Sequence, residues 1–272
     1  MNKLAACWMA WRVFTHVLGG VVQGGLLFRR LSKPQREMQI RQWARTMLKR
    51  FRVELRIAGA PAQVGPMLVV ANHISWVDIL ALLAVCPCRF VAKADVEHWP
   101  LLGTVVTGGG TLYVKRESRR DAMRVVHRMA EALKEGDILA VFPEGTTGDG
   151  SSVLPFHSGL LQAAISADVP VQPVAVQIVD GKSGRPSRAA SYMGDESLAG
   201  SVWRALCARD LCAVVTFGPP QRPAGRDRRA WARDLRQEIA AMRQPEGQDF
   251  RARAARDGAL LEWWRHQATE PL

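Results

Sequence analysis

From residue 51 onward, short apolar runs alternate with amphipathic segments, and this alternation restricts the chain to a sheet flanked by helices. The apolar pattern predicts strands buried on both faces at residues 67–71 and 137–142, and residues 118–135 have helical periodicity. We therefore predict an α/β fold with a mixed, mostly parallel sheet flanked by helices, and a functional site at strand ends. The other predicted strands are 51–57, 89–93, 111–115, 171–179 and 211–217, and the other predicted helices are 76–85, 158–166 and 227–243.

The first 52 residues contain eleven of the 37 Lys and Arg residues and one of the 25 Asp and Glu residues, so most of the net charge of +12 lies there. Within them, residues 7–28 are mostly apolar and contain two Trp. They are long enough to cross a bilayer, but a central Arg12 costs about 2.5–3.5 kcal/mol in a span. Spanning the membrane and lying flat on it both remain open, as do a core helix and a cleaved or disordered segment.

A second basic helix is predicted after the apolar one. Ser32 is a suitable cap, Pro34 suits a first helical turn, and residues 35–50 place apolar side chains between basic ones. We expect residues 1–50 to form a membrane-associated helical hairpin on an anionic membrane surface. The main α/β domain then covers residues 51–245, and residues 246–272 form a C-terminal tail.

The sequence lacks the motifs that are typical of several classes of function. The five cysteines show no C-x-x-C spacing, so we expect reduced thiols and no metal site. No G-x-S-x-G or H-E-x-x-H occurs, and "GKS" at 181–183 lacks the glycine of a phosphate-binding loop. The pI of about 10.2 is compatible with a nucleic-acid partner. We expect none, because the basic cluster adjoins an apolar Trp-containing segment without an aromatic stacking pattern.

The apolar run 67–71 ends in Asn72 and His73, and Asp78 follows five residues later. On one continuous helix these two side chains would diverge by about 140°. They can meet only if His73 lies in a turn, with Ser75 as the N-cap and Asp78 at the third helical position. Two interpretations remain open: a general base oriented by a carboxylate, or a capping residue beside an ordinary turn histidine.

Two further segments place polar groups at strand ends. In "VFPEGTTGDG" (141–150), Gly145 allows close backbone approach, and amides with the Thr146 hydroxyl could hold an anion; an ordinary Gly-rich loop is the alternative. In "GGGTLYVKR" (108–116), Arg116 suits a bidentate phosphate contact, and Lys93 ends another strand. A solvated strand end explains these cations equally well.

Taken in order, these segments resemble the glycerolipid acyltransferase family, whose best-known members acylate lysophosphatidic acid. "NHISWVD" is similar to its N-H-x-x-x-x-D block, "GGGTLYVKR" to its second block and "FPEGT" to its third. "VPVQPVAV" (169–176) resembles the fourth block, and "FVAKADVEHWPLLG" (90–103) the Lys-containing segment between the first two. The resemblance covers about residues 50–220 and identifies 51–245 as an acyltransferase domain.

The resemblance implies transfer of a fatty acyl group from acyl-CoA or an acyl-carrier protein to a lysolipid hydroxyl, with no bound cofactor. His73 would be the general base and Asp78 would orient it, without a covalent acyl-enzyme. Phosphatidic acid would then form from 1-acyl-glycerol-3-phosphate at the cytoplasmic membrane, with the active site facing the cytoplasm. The residues expected to bind the acceptor head group are Arg116, Glu144, Gly145, Thr146 and Lys93.

Two positions depart from the family pattern. Thr147 stands where the family often has Arg after "FPEGT", and His157 stands where it often has Lys after "PF". Both changes remove a cation, and the segment 142–156 also resembles the branch that acylates lyso-ornithine lipid, whose acceptor has no phosphate. Lyso-ornithine lipid, or another lysophospholipid, is therefore the alternative acceptor. A non-catalytic basic protein that binds lipid surfaces is the alternative from another class.

Overall fold

A computed structural model describes residues 3–99, 101–114, 119–194 and 196–243. Within these residues, seven strands form one sheet in the order β1-β7-β6-β2-β5-β3-β4. The strands are β1 (Glu54–Ala58), β2 (Met67–Ala71), β3 (Arg89–Lys93), β4 (Leu112–Val114), β5 (Ile138–Val141), β6 (Val171–Asp180) and β7 (Leu211–Phe217). The helices are α1 (Lys3–Val22), α2 (Lys33–Arg50), α3 (Trp76–Leu83), α4 (Leu102–Gly108), α5 (Arg119–Lys134), α6 (Leu161–Ala167), α7 (Leu198–Cys207) and α8 (Arg228–Met242).

The sheet is mostly parallel, as the sequence pattern predicts. Neighbouring strands run parallel throughout except β6 and β7, which are antiparallel over seven residue pairs. Two described helices were not predicted. The seven residues of α4 are mainly Gly, Thr and Val, which have low helix propensity. The α7 segment also contains Gly and Ser, and it is capped by Ser197, whose hydroxyl accepts a hydrogen bond from Gly200 N at 3.1 Å.

The central strand β2 is buried on both sides, and its residues divide between two cores. Val69 and Ala71 pack with the helices α2, α3 and α7 on one face. Leu68 and Val70 pack with α5, α6 and α8 on the other. Both faces are therefore covered, and the edge at the carboxyl ends of the strands is where polar side chains can gather.

The two N-terminal helices form and pack against the sheet domain. They are joined by a π-helical turn, Gln23–Leu27, and a 3₁₀ turn, Phe28–Arg30, and the N–H of Ser32 donates to Gln35 Oε1 at 2.9 Å. The His16 and Trp43 rings stack, and Trp43 Nε1 donates to the His16 carbonyl oxygen at 3.3 Å. Among the described residues no helix has the length and apolarity that crossing a membrane requires.

The boundary predicted between residues 50 and 51 falls at the end of α2, but the helix is not a separate layer. Its residues Ala44, Met47 and Leu48 are buried in the same core as β2 and α3. The predicted tail, 246–272, lies outside the described residues.

A buried carboxylate ties α2 to the amino-terminal edge of the sheet. Asp137, just before β5, accepts from Lys33 Nζ at 2.5 Å and from Arg89 Nη1. Arg89 also donates through Nε to the carbonyl of Gly110 at 2.7 Å, which holds the start of β4 beside β3. One nearly buried acid therefore joins the N-terminal helices to two strand starts.

We expect Asp137→Asn to lower the free energy of unfolding by about 1–2 kcal/mol, because Lys33 and Arg89 lose their carboxylate. The loss is limited because both cations are partly exposed to water. Chemical denaturation measures this change. Asp168→Asn is the matched control, since the Arg222–Asp168 pair lies at the surface; its denaturation midpoint should stay near that of the wild type. Equal effects from both substitutions would contradict the tethering role of Asp137.

Candidate active site

Strand β2 is extended past its end by the side chain of Asn72. Its Nδ2 donates to the Val176 carbonyl at 2.9 Å, and Val176 N–H donates to Asn72 Oδ1 at 2.7 Å. The amide thus continues the ladder of hydrogen bonds with β6 beyond the last backbone pair, Ala71 with Val174. His73 is the first residue beyond this extended end of β2. The sequence analysis missed this role; the available signal was a polar amide at the end of a wholly buried strand.

His73 and Asp78 meet in the turn between β2 and α3. His73 Nδ1 lies 2.9 Å from Asp78 Oδ2, and the same oxygen accepts from the N–H groups of Ile74 at 2.5 Å and Ser75 at 2.8 Å. Ser75 is the N-cap of α3, and its hydroxyl accepts from Val77 N at 3.2 Å. The capping and orienting interpretations of Asp78 therefore describe the same geometry.

The geometry favours one tautomer of the His73 imidazole. An ionised carboxylate only accepts hydrogen bonds, so the proton belongs on Nδ1, which leaves Nε2 as an acceptor. Nε2 makes no hydrogen bond to any residue that the structure describes, and the side chain is 18% exposed while Asp78 is fully buried. The imidazole ring also stacks on Phe142, with ring centres 4.0 Å apart. The turn thus presents one fixed, accessible basic nitrogen.

Glu144, in the loop that follows β5, supports the same turn. Its Oε1 accepts from the backbone N–H of His73 at 2.8 Å, and its Oε2 accepts from Leu154 N–H at 3.0 Å. Gly148 N–H donates to the His73 carbonyl at 2.8 Å. Burial raises the pKa of Glu144 above its ordinary value, and the two amide hydrogen bonds oppose that shift. This geometry favours a positioning role; the predicted contact of Glu144 with the acceptor head group stays a prediction.

Three of the other predicted binding residues, Gly145, Thr146 and Lys93, lie at the same edge of the sheet. Gly145 has a φ of +72°, a conformation that favours glycine, and Thr146 is exposed beside it. Lys93 is exposed at the end of β3, where it pairs in register with Val114, the last residue of β4. Arg116 follows two residues later and lies outside the described residues. The strand order β2-β5-β3-β4 therefore aligns His73, this loop and Lys93 along one edge.

The segment that contains Ala190 and Tyr192, before α7, packs over the turn between β2 and α3. The sequence analysis did not predict this contact. The hydroxyl of Thr147 donates to the Tyr192 carbonyl, and that of Ser75 donates to the Ala190 carbonyl. Trp76 Nε1 donates to Ser201 Oγ at 3.1 Å. Thr147 thus holds the cover in place at a position where a cation was expected from the resemblance. No group of His, Cys, Asp and Glu side chains suited to a metal ion occurs in the part of the chain that the structure describes.

Comparison with known proteins gives one consistent family. A family model described as Acyltransferase matches residues 52–177. The lyso-ornithine lipid O-acyltransferase of Pseudomonas aeruginosa is 38% identical over 207 residues, which cover 76% of this chain and 78% of that protein. The 1-acyl-sn-glycerol-3-phosphate acyltransferase of Neisseria gonorrhoeae is 37% identical over 158 residues, which cover 58% of this chain and 61% of that protein.

A solved structure has the same fold. The crystal structure of the 1-acyl-sn-glycerophosphate (LPA) acyltransferase from Thermotoga maritima matches this chain with a TM-score of 0.65 and 20% sequence identity. The match covers 91% of this chain and 98% of the other. The likeness in fold therefore extends over most of the chain.

We expect Glu144→Gln to destabilise the fold by about 1–3 kcal/mol, because the amide replaces one acceptor oxygen and leaves the N–H of His73 or Leu154 unpaired. Urea denaturation gives the change. Glu97→Gln, at an exposed carboxylate before α4, is the matched control and should leave stability unchanged. A Glu144→Gln protein as stable as the wild type would show that the brace adds nothing to the turn.

Proposed function

The chain belongs to the acyltransferase family, and on that basis we propose that it transfers a fatty acyl group from a thioester to the free hydroxyl of a lysolipid. The observation that supports this proposal is the turn that holds His73 Nδ1 on Asp78 and leaves Nε2 free. Acyl-CoA and acyl-carrier protein are the two thioester donors that suit this chemistry, and neither requires a bound cofactor.

In the proposed mechanism, His73 Nε2 takes the proton of the acceptor hydroxyl as its oxygen attacks the thioester carbonyl carbon. The ionised Asp78 stabilises the imidazolium that forms and keeps the ring in place. The tetrahedral intermediate collapses, the C–S bond breaks, and the imidazolium proton passes to the leaving thiolate. The products are the acylated lipid and a free thiol, so no covalent intermediate on the enzyme is needed.

For the acceptor we propose 1-acyl-glycerol-3-phosphate first, because Lys93 and the predicted contact at Arg116 offer cations to a phosphate. Lyso-ornithine lipid is the second candidate. It is favoured by the longer match to the Pseudomonas relative and by Thr147, which stands in place of a cation and binds the Tyr192 carbonyl. Mass spectrometry of the products from a mixed pool of both lysolipids, supplied with one acyl thioester, decides between them.

We also propose that α1 lies flat in the interface of the cytoplasmic membrane, with the active site open to the cytoplasm. Its inner side, including Met9, packs into the core, whereas Trp8 and Trp11 on the outer side are 62% and 57% exposed. Phe14, Leu18 and Val22 continue this exposed stripe at helical spacing. Exposed aromatic side chains on a basic segment are typical of an interfacial helix.

We expect His73→Ala and Asp78→Asn each to lower the turnover number by about 10²–10⁴. The first removes the base, and the second replaces the carboxylate that stabilises the imidazolium with a neutral amide. Initial rates with an acyl thioester and both lysolipids measure the effect. His127→Ala, at an exposed histidine of α5, is the control and should keep the wild-type rate. Because Asp78 also caps α3, unfolding is measured alongside; wild-type turnover in either variant would refute the dyad.

We expect the double substitution Trp8→Ser and Trp11→Ser to weaken binding to phosphatidylglycerol vesicles at least tenfold, since two large apolar side chains lose their burial in lipid. Flotation of the protein with vesicles gives the bound fraction. Met123→Ser changes an equally exposed apolar side chain on α5, across the sheet from α1, and should not affect flotation. A similar loss in both proteins would argue against α1 as the membrane-binding face.

A further inference from the structure

A cavity of about 290 Å³ lies between α8 and the segment that precedes α6. Three of its lining residues are arginines of α8, and the others are small, apolar or hydroxylic. None of the predicted catalytic or head-group residues lines it. The lining residues are Pro155, Phe156, Ser158, Arg229, Ala232, Arg233 and Arg236.

The three guanidinium groups form no direct ion pair with a carboxylate that the structure describes, although the charge of Asp227 acts on Arg229 and Arg233. Arg236 donates through Nε to the carbonyls of Val153 at 2.9 Å and Leu154 at 3.1 Å, which orients its charge without cancelling it. Arg229 and Arg233 are exposed and form no ion pair with any carboxylate that the structure describes. By contrast, two arginines outside the cavity bind acids: Arg222 pairs with Asp168, and Arg226 pairs with Asp234.

Electrostatic interactions within α8 disfavour positive charges in its first turns. The helix begins with Arg228 and Arg229 and has no acid in its first turn, so the cations oppose the positive end of the helix dipole. Arg229 and Arg233 are also four residues apart on one helix face, where like charges repel. The N-cap Asp227 directs its Oδ1 at the backbone N–H groups of Arg229 and Ala230, at 2.6 and 2.9 Å. Asp227 already offsets the dipole and attracts both arginines, and a bound anion would further reduce the repulsion between Arg229 and Arg233.

We propose that this cavity is a binding site for a phosphate group. Guanidinium groups match the oxygens of a phosphate in geometry and charge, and Arg236 is already held in place by the loop carbonyls. The segment that lines the cavity continues directly from Leu154, whose N–H binds Glu144 beneath His73. A phosphate there is therefore adjacent to the catalytic turn without competing for it. Two sources fit this chemistry: the phosphates of a nucleotide-bearing thioester donor, and the head group of an anionic membrane lipid.

Titration calorimetry of the full-length protein with adenosine 3′,5′-bisphosphate and with glycerol 3-phosphate tests the site. We expect saturable binding of at least one probe, weakened roughly tenfold to a hundredfold in Arg233→Gln and in Arg229→Gln. Arg228→Gln is the matched control, because it removes the same exposed charge from the same helix outside the cavity. Absence of saturable binding, or equal weakening in Arg228→Gln, would overturn the proposal.

Two further measurements on Arg233→Gln identify the source of the phosphate. A raised KM for acyl-CoA with unchanged flotation on phosphatidylglycerol vesicles supports the nucleotide of the donor. Weaker flotation with an unchanged KM supports the lipid head group. The calorimetric result does not require turnover, so it stands or fails separately from the proposed acyl transfer. The unfolding transition of each variant confirms that a loss of binding is not a loss of fold.

Discussion

The carboxylate of Asp78 is the interaction on which the site depends. It is fully buried, and one of its oxygens accepts from the His73 ring and from two backbone N–H groups at the start of α3. Hydrogen bonds to this oxygen offset part of the cost of burying the charge. The same bonds that stabilise this carboxylate therefore define the turn, begin the helix and favour one tautomer of His73.

Groups from distant parts of the chain hold this turn against the sheet. Asn72 binds the backbone of Val176 at the end of β2, and Glu144, in the loop after the neighbouring strand β5, accepts from the N–H of His73. On the other side, Phe51 at the end of α2 packs on Trp76, the first residue of α3, with ring centres 4.7 Å apart. Helix α2 thus rests directly on the helix that bears Asp78.

The local part of this arrangement could be predicted from the sequence, whereas the long-range part could not. The bounds of β2, β3 and β7 follow from apolar runs, and the meeting of His73 with Asp78 follows from the rules of helix capping over five residues. The partners of Asn72 and Glu144 are 104 and 71 residues away, so no pattern in the sequence reveals them. The antiparallel pairing of β6 with β7 was missed for the same reason, because burial on both faces is compatible with either direction.

The tautomer of His73 is the most direct test of the central claim. Nitrogen NMR of the protein labelled at histidine ring nitrogens, with His73→Ala used to assign the signal, reports which nitrogen bears the proton in the neutral ring. The account predicts a proton on Nδ1 and a bare Nε2, and Asp78→Ala, which leaves no side-chain acceptor, should remove that preference. A neutral His73 with its proton on Nε2 would contradict the account, because that nitrogen could not then accept the proton of the lysolipid hydroxyl.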